Sequence, residues 1–186
     1  MMDLDEKYHC SLQDNAIKVK FVPHADSPFH PQCLRITFHR TIRVPENHKS
    51  VKLPPDLGTF SLFGIRDHAH KLPPSMVAKG GLFLSMYQRE AMWVDFNADW
   101  PFMIKIYADG VNVVSGEHAA DDNGTKDRRR LASRGKIQDY VVAPPQIWLD
   151  GIATSPGVVR QLIAMPTGQG YSVESQFTGE DTIGGL

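Results

Sequence analysis

The sequence predicts an all-β protein, an antiparallel β-sandwich or barrel-like body with one or two short helical turns and long loops. Three observations carry this. Apolar residues alternate with polar ones in several short runs. The 13 prolines and 15 glycines are spread so that no helical pattern runs much beyond about ten residues. Asp109-Gly110 stands between two β-rich runs as a two-residue hairpin turn, whose central residues need positive φ.

Taken in order, residues 1–15 read as a flexible N-terminus. Ile17, Val19 and Phe21 then alternate with lysines in a half-buried strand. Leu34 to Val44 repeats the period, with Leu34, Ile36, Phe38, Ile42 and Val44 on the apolar face and Arg40 intruding once. Pro23 to Pro31 is a loop. Pro45 to Leu72 is irregular, with one short strand at Thr59–Phe63. Pro73 to Gly80 is a helical turn or two, opened by proline and stopped by glycine. A strand begins at Gly81, and Phe102 to Val114 forms the Asp109-Gly110 hairpin. Residues 115–136 turn polar and read as a long mobile loop. Strands resume at Ile137–Ala143, Val158–Ala164 and Tyr171–Phe177, with Gly168-Gln-Gly170 linking the last two. All 186 residues fit one β-rich domain, without a repeat.

The hydrophobic fraction is 41% and the charged fraction 22%, both ordinary for a globular chain. With 20 basic against 21 acidic residues, no global field favours nucleic acid or an anionic membrane. Near-zero net charge lowers the barrier to self-association. No secretory signal and no membrane span is visible, which places the expected location in the cytoplasm. Cys10 and Cys33 are not spaced as a metal pair. They read as two free thiols or as intermolecular disulfide partners, with Cys10 the more accessible.

Gln88-Arg89-Glu90 interrupts the apolar stretch Gly81 to Phe96. On a strand, Arg89 and Glu90 face opposite ways, so whichever face is buried takes a charge with it. A buried charge persists only when paired, and Asp139, Asp150 or Glu174 are the partners considered. The pair reads as an ion-pair seam between sheets or as part of a ligand-binding or catalytic cluster with Trp148 and Asp150. Trp148 and Leu149 read as an anchor plugging the end of the sandwich, with Trp148 in the core or lining a pocket. Asp67-His-Ala-His70 offers a metal hypothesis. On an extended segment His68 and His70 share a side, with Asp67 adjacent and His24 and His30 within reach, against the plainer reading of surface histidines.

No nucleophile elbow, phosphate loop or dinucleotide fingerprint is present, and no cofactor is implied. Arg128-Arg-Arg-Leu-Ala-Ser-Arg-Gly-Lys136 reads as a solvated basic loop balancing Asp121 and Asp122, or as an accessible phosphorylation site at Ser133. Without interleaved aromatics it is not a nucleic-acid surface.

Met86-Tyr-Gln-Arg-Glu-Ala-Met-Trp93, Gln138-Asp-Tyr-Val-Val142, Gln146-Ile-Trp-Leu-Asp-Gly151 and Arg160-Gln-Leu-Ile-Ala-Met-Pro166 together resemble a family of proteins shared by actinobacteria and filamentous fungi. Some of its members are labelled "integral membrane protein", although this chain shows no span to match the label. The resemblance covers roughly Phe38 to Leu186 and transfers no catalytic assignment. The bacterial and fungal distribution is similar to that of OCTIN-type crystal-matrix proteins, the material of gravity-sensing crystals in mucoralean fungi. That likeness rests on no matched motif. It implies ordered self-assembly, cysteines that bridge molecules, and vacuolar storage.

The expected function is a non-enzymatic structural protein whose partner is itself, in a homo-oligomer or an ordered, crystal-like assembly. The rival readings are a small-molecule or metal-binding β module and an enzyme centred on Arg89 and Glu90.

Overall fold

Asp14 and Asn15 have φ of 52° and 54°, the left-handed pair that a tight hairpin turn requires. They join β1 (Tyr8–Gln13) to β2 (Ala16–Phe21), in register from Tyr8 opposite Phe21 to Gln13 opposite Ala16. The structure, a computed structural model, describes residues 8–23, 30–44, 53–108, 110–135, 137–155 and 158–166. The flexible N-terminus expected over residues 1–15 is therefore corrected from Tyr8 onward, where alternation and the Asp-Asn turn build a strand; residues 1–7 lie outside the described part.

β2 pairs with β3 (Gln32–Thr41), and β3 pairs along eight positions with β6 (Ala91–Ala98), from Leu34 opposite Ala98 to Thr41 opposite Ala91. This register sorts side chains by the period of the strand. Val19, Leu34, Ile36, Phe38, Met92, Val94 and Phe96 fall on one face, which is the core face. Arg35, Thr37, His39, Thr41, Ala91, Trp93, Asp95 and Asn97 fall on the other.

The second edge of β6 is shared. β13 (Val158–Ile163) pairs with Ala91 and Met92, while β11 (Trp148–Leu149) pairs with Val94 and Asp95. The chain steps outward after Asp150, so that β12 (Gly151–Ser155) runs beside β13 and completes a seven-stranded antiparallel sheet. At Gly151 the two backbones approach so closely that a Cβ would lie 2.5 Å from the Arg160 carbonyl oxygen and 2.6 Å from Cγ1 of Val159.

Short pairs complete the fold. β7 (Phe102–Ile104) pairs with β10 (Val141–Ala143), and β8 (Tyr107–Ala108) with β9 (Val111–Asn112). Val113, Val141 and Ala143, with Phe60, close over the core face of the large sheet. Phe60 and Phe96 are wholly buried, each contributing about 2–3 kcal/mol of burial free energy. β4 (Phe63–Gly64) and β5 (Leu82–Phe83) make another two-stranded pair. The fold is thus mostly antiparallel β and sandwich-like, as the alternation implied.

Helices correct the reading in two places. Residues 66–71 form a 3-10 helix rather than extended chain. The loop expected over 115–136 contains α2 (Asn123–Ala132), counting α1 (Pro74–Lys79) as the expected proline-opened turn. α2 begins because Asp122 is an N-cap, its carboxylate accepting from Thr125 N at 2.9 Å and from Thr125 Oγ1 at 2.8 Å. The expected hairpin is short, β8 pairing with β9 over two positions, because Phe102–Ile104 pairs with β10 instead; Asp109 itself lies outside the described residues. The expected strand at Tyr171–Phe177 lies outside the described residues.

Gly151→Ala would force β12 from β13, a backbone clash that no rotamer relieves. The expected outcome is a loss of about 2 kcal/mol or more in urea denaturation.

Candidate functional site

Gln88 and Arg89 occupy a turn, not the middle of a strand. Arg89 has φ 67°, Glu90 N donates to Tyr87 O at 3.0 Å, and Arg89 N donates to Ala164 O at 2.6 Å. Arg89 is exposed. Glu90 turns inward: its Oε1 accepts from Arg40 Nε at 3.0 Å and its Oε2 from Tyr87 N at 2.8 Å. The partner is therefore Arg40, the charge that interrupts the apolar face of β3, rather than Asp139, Asp150 or Glu174. Asp139 is instead bound to Lys105 at 2.7 Å, and Glu174 lies outside the described residues. Arg40 also donates to Thr59 O at 3.1 Å and lies over the Phe60 ring, 4.2 Å from its centroid. Carboxylate, guanidinium and ring form a seam in which both carboxylate oxygens and two guanidinium nitrogens have partners, with the Arg40 side chain half-buried.

Trp148 sits opposite Asp95 at the far half of β6 and is 41% exposed. Leu149, not the tryptophan, anchors β11 in the core. Asp150 is half-buried, and its carbonyl accepts from Leu162 N at 3.3 Å. No hydrogen bond or ion pair among the described residues joins Arg89 or Glu90 to Trp148 or Asp150, so the expected four-residue cluster does not assemble.

The metal hypothesis fares similarly. A 3-10 helix turns by about 120° per residue, which separates His68 from His70. The His68 ring meets Phe63 and Phe83 edge-on at 5.5 and 5.6 Å, with Nδ1 3.1 Å from Gly64 O. His70 and His30 are both exposed, and His24 lies outside the described residues. Asp67 packs its carboxylate against Gly64, where a Cβ would meet it at 2.5 Å. Among the described residues no three His, Cys, Asp or Glu side chains are grouped to hold an ion.

The polar cluster that does form lies on the second face of the large sheet, at positions the alternation assigned to the solvent side. His39 stacks on Trp93, with ring centroids 4.1 Å apart and an interplanar angle of 15°. Its Nε2 is 2.9 Å from Thr37 Oγ1. Its Nδ1 is 3.1 Å from Asp56 Oδ1, an ion-pair distance outside hydrogen-bond alignment. Asp56 is held below the ordinary carboxylate range, first by the Gly58 N–H and then by His39. Asp95 is pushed above it by burial, against the opposing pull of His39, Thr37 and Arg35.

Carboxylate, imidazole and hydroxyl in that order are the parts of a proton relay. Thr37, which carries the hydroxyl, is only 6% exposed. Covering comes partly from the chain that leaves β3. Gln161 Nε2 donates to Ile42 O at 2.8 Å, and its Oε1 accepts from Val44 N at 3.1 Å. This strap crosses the second face of β6 to reach β13. Trp93 Nε1 is buried beneath this face without a hydrogen-bond partner among the described residues.

Cys10 and Cys33 are both free, on opposite faces of the sheet. Cys33 is half-buried and its backbone exchanges hydrogen bonds with Asp99. Cys10 is exposed in β1, all six of whose residues are exposed. The sequence reading singles out Cys10 as accessible but places it in a flexible terminus. The signal of the strand is the apolar positions Tyr8 and Leu12 flanking Cys10 at period two, followed by Asp14-Asn15.

No helix among the described residues is long and apolar enough to cross a membrane. The chain matches no protein-family profile, no curated protein and no solved structure.

Glu90→Ala leaves the Arg40 guanidinium half-buried without its carboxylate and should cost about 2 kcal/mol in urea denaturation. Adding Arg40→Met should recover part of that loss, a positive coupling in the double-mutant cycle.

Asp95 sets a pH dependence of opposite sign to a salt-bridged carboxylate. The folded state keeps the Asp95 proton to higher pH than the unfolded chain does. The unfolded chain therefore binds fewer protons in that window, and stability falls as pH rises above the ordinary aspartate range. Asp95→Asn should raise Tm at neutral pH and leave it unchanged in acid below that range, measured by thermal melts across pH.

Proposed function

We propose that this chain is a non-enzymatic structural protein that self-associates into ordered assemblies, with β1 as the joining edge. The observation that carries the reading is the state of that strand. Among the described residues β1 ends the large sheet, pairs with β2 alone, and exposes all six residues. Tyr8-His-Cys-Ser-Leu-Gln13 carries no Asp, Glu, Lys, Arg or Pro. Edges that must stay single are guarded by such residues or covered.

The turn also fixes which backbone groups face outward. A two-residue turn closes on a hydrogen-bonded pair, here Gln13 and Ala16, and pairs alternate from there. Residues 9, 11 and 13 therefore bond to β2, and residues 8, 10 and 12 direct N–H and C=O to the open side. Tyr8, Cys10 and Leu12 share the side of the sheet that carries Val19 and Leu34. Tyr8 is 50% and Leu12 39% exposed, and the Tyr8 ring lies 5.3 Å from that of Phe21. A second copy pairing antiparallel about Cys10 would continue the sheet and cover this row. It would place the two Cys10 Cα atoms about 5.5 Å apart, within disulfide reach. Among the described residues no group of three His, Cys, Asp or Glu side chains supports the metal-module reading.

Sedimentation velocity over about a hundredfold range of protein concentration, with and without reductant, tests the proposal. The expected outcome is concentration-dependent association, locked covalently under oxidising conditions. Cys10→Ser should remove the lock and keep the association, whereas Leu12→Lys should weaken the association itself. A monomer throughout, or association unaltered in Leu12→Lys, defeats the reading.

A further inference from the structure

Ser133 closes α2 as its C-cap, with φ −85° and ψ 5°. Its Oγ donates to Arg130 O at 2.9 Å and its N donates to Arg129 O at 3.0 Å. Three arginines precede it at Arg128, Arg129 and Arg130, and Arg134 follows in the left-handed region at φ 54°. We propose that Ser133 is a phosphorylation site for serine kinases whose peptide groove is acidic.

Two independent features support this. The first is charge. Guanidiniums three and five residues before the hydroxyl, and one directly after it, present planar forks that pair with carboxylates in a groove. The second is the weak attachment of the helix, since a kinase reads its peptide extended. α2 buries none of its residues, and Leu131 is 79% exposed. Among the described residues its side-chain ties to the body are Arg129 to Asp121 at 2.6 Å, Arg130 to Asp139 at 3.8 Å, and Lys126 to Ala119 O at 3.4 Å. An element without buried apolar contacts opens at little cost. Gly135, at φ 73°, gives the segment a natural point to swing out.

In the transfer, Ser133 Oγ bonds to the γ-phosphorus of MgATP as the bond to the β,γ-bridging oxygen breaks. ADP leaves, and the hydroxyl proton passes to the catalytic carboxylate of the kinase. The product cannot keep the present cap. Phosphoserine no longer donates to Arg130 O, and its charge faces the negative carbonyl end of the helix. The last turn of α2 therefore unwinds, and Arg130 turns from Asp139 toward the phosphate.

The test incubates the folded full chain with radiolabelled MgATP and the catalytic domains of protein kinase B and protein kinase C in turn. The expected result is about one phosphate per chain at Ser133, lost in Ser133→Ala, a variant that touches no core contact. Amide hydrogen exchange should then quicken several-fold across residues 130–135 and nowhere in β3 or β6. No labelling of the folded protein by either kinase, labelling only after heat unfolding, or equal labelling of Ser133→Ala overturns the proposal.

Discussion

The ladder between β3 and β6 is the constraint on which the rest of the molecule depends. Its eight opposed pairs assign every side chain of the two strands to one face or the other. A slip of one residue would send Leu34, Ile36 and Phe38 outward and carry Arg35, Thr37 and His39 into the core. Everything that packs on the sheet reads this assignment. Phe60, Val113 and Val141 close over one side, and the Ile42–Val44 strap with its Gln161 clasp crosses the other. β6 itself is buried on both faces from Ala91 to Val94, which is why it tolerates no charge there and admits Asp95 only with its pKa raised by burial.

Two charges break the alternation, one on each strand approach, and they neutralise one another. Arg40 stands on the apolar face of β3, and Glu90 arrives just before β6 begins. Neither belongs in a core alone. Brought together beside the Phe60 ring, they seal the end of the ladder and fix where the turn at Gln88-Arg89 must fall. The polar cluster of the second face follows the same logic. His39 ties the Asp56 loop to the sheet while its ring covers Trp93. Both clusters tie separate segments of the chain together.

Much of the architecture was legible because period two is a strong signal where one face is wet. β2, β3, β13 and the β8–β9 hairpin fall where alternation and turn chemistry put them. The misses have physical causes. Gln88-Arg89 looked like strand because apolar residues flank it on both sides, and no glycine marks the left-handed position that Arg89 occupies. α2 was hidden because its residues are polar as far as Arg130, with only Leu131 and Ala132 apolar, leaving the Asp122 cap as its single local sign. The principle that an interior charge needs a partner held for Glu90. The identity of the partner did not follow, because Arg40 lies fifty positions away and only the strand register brings it there. The metal set failed through one local feature, the 3-10 geometry of residues 66–71, which spacing alone does not distinguish from extended chain.

The Gln161 clasp has a consequence for the order in which the molecule is made. Gln161 grips a strap 117 residues earlier in the chain. While a ribosome is still making the middle of the protein, β3 and β6 can already pair with His39 stacked on Trp93, yet the Ile42–Val44 strap has no Gln161 to hold it. The strap stays unclasped until the last described strand emerges. Nascent chains therefore carry a half-sheet that is not yet pinned shut, and incompletely packed intermediates are the ones that chaperones bind.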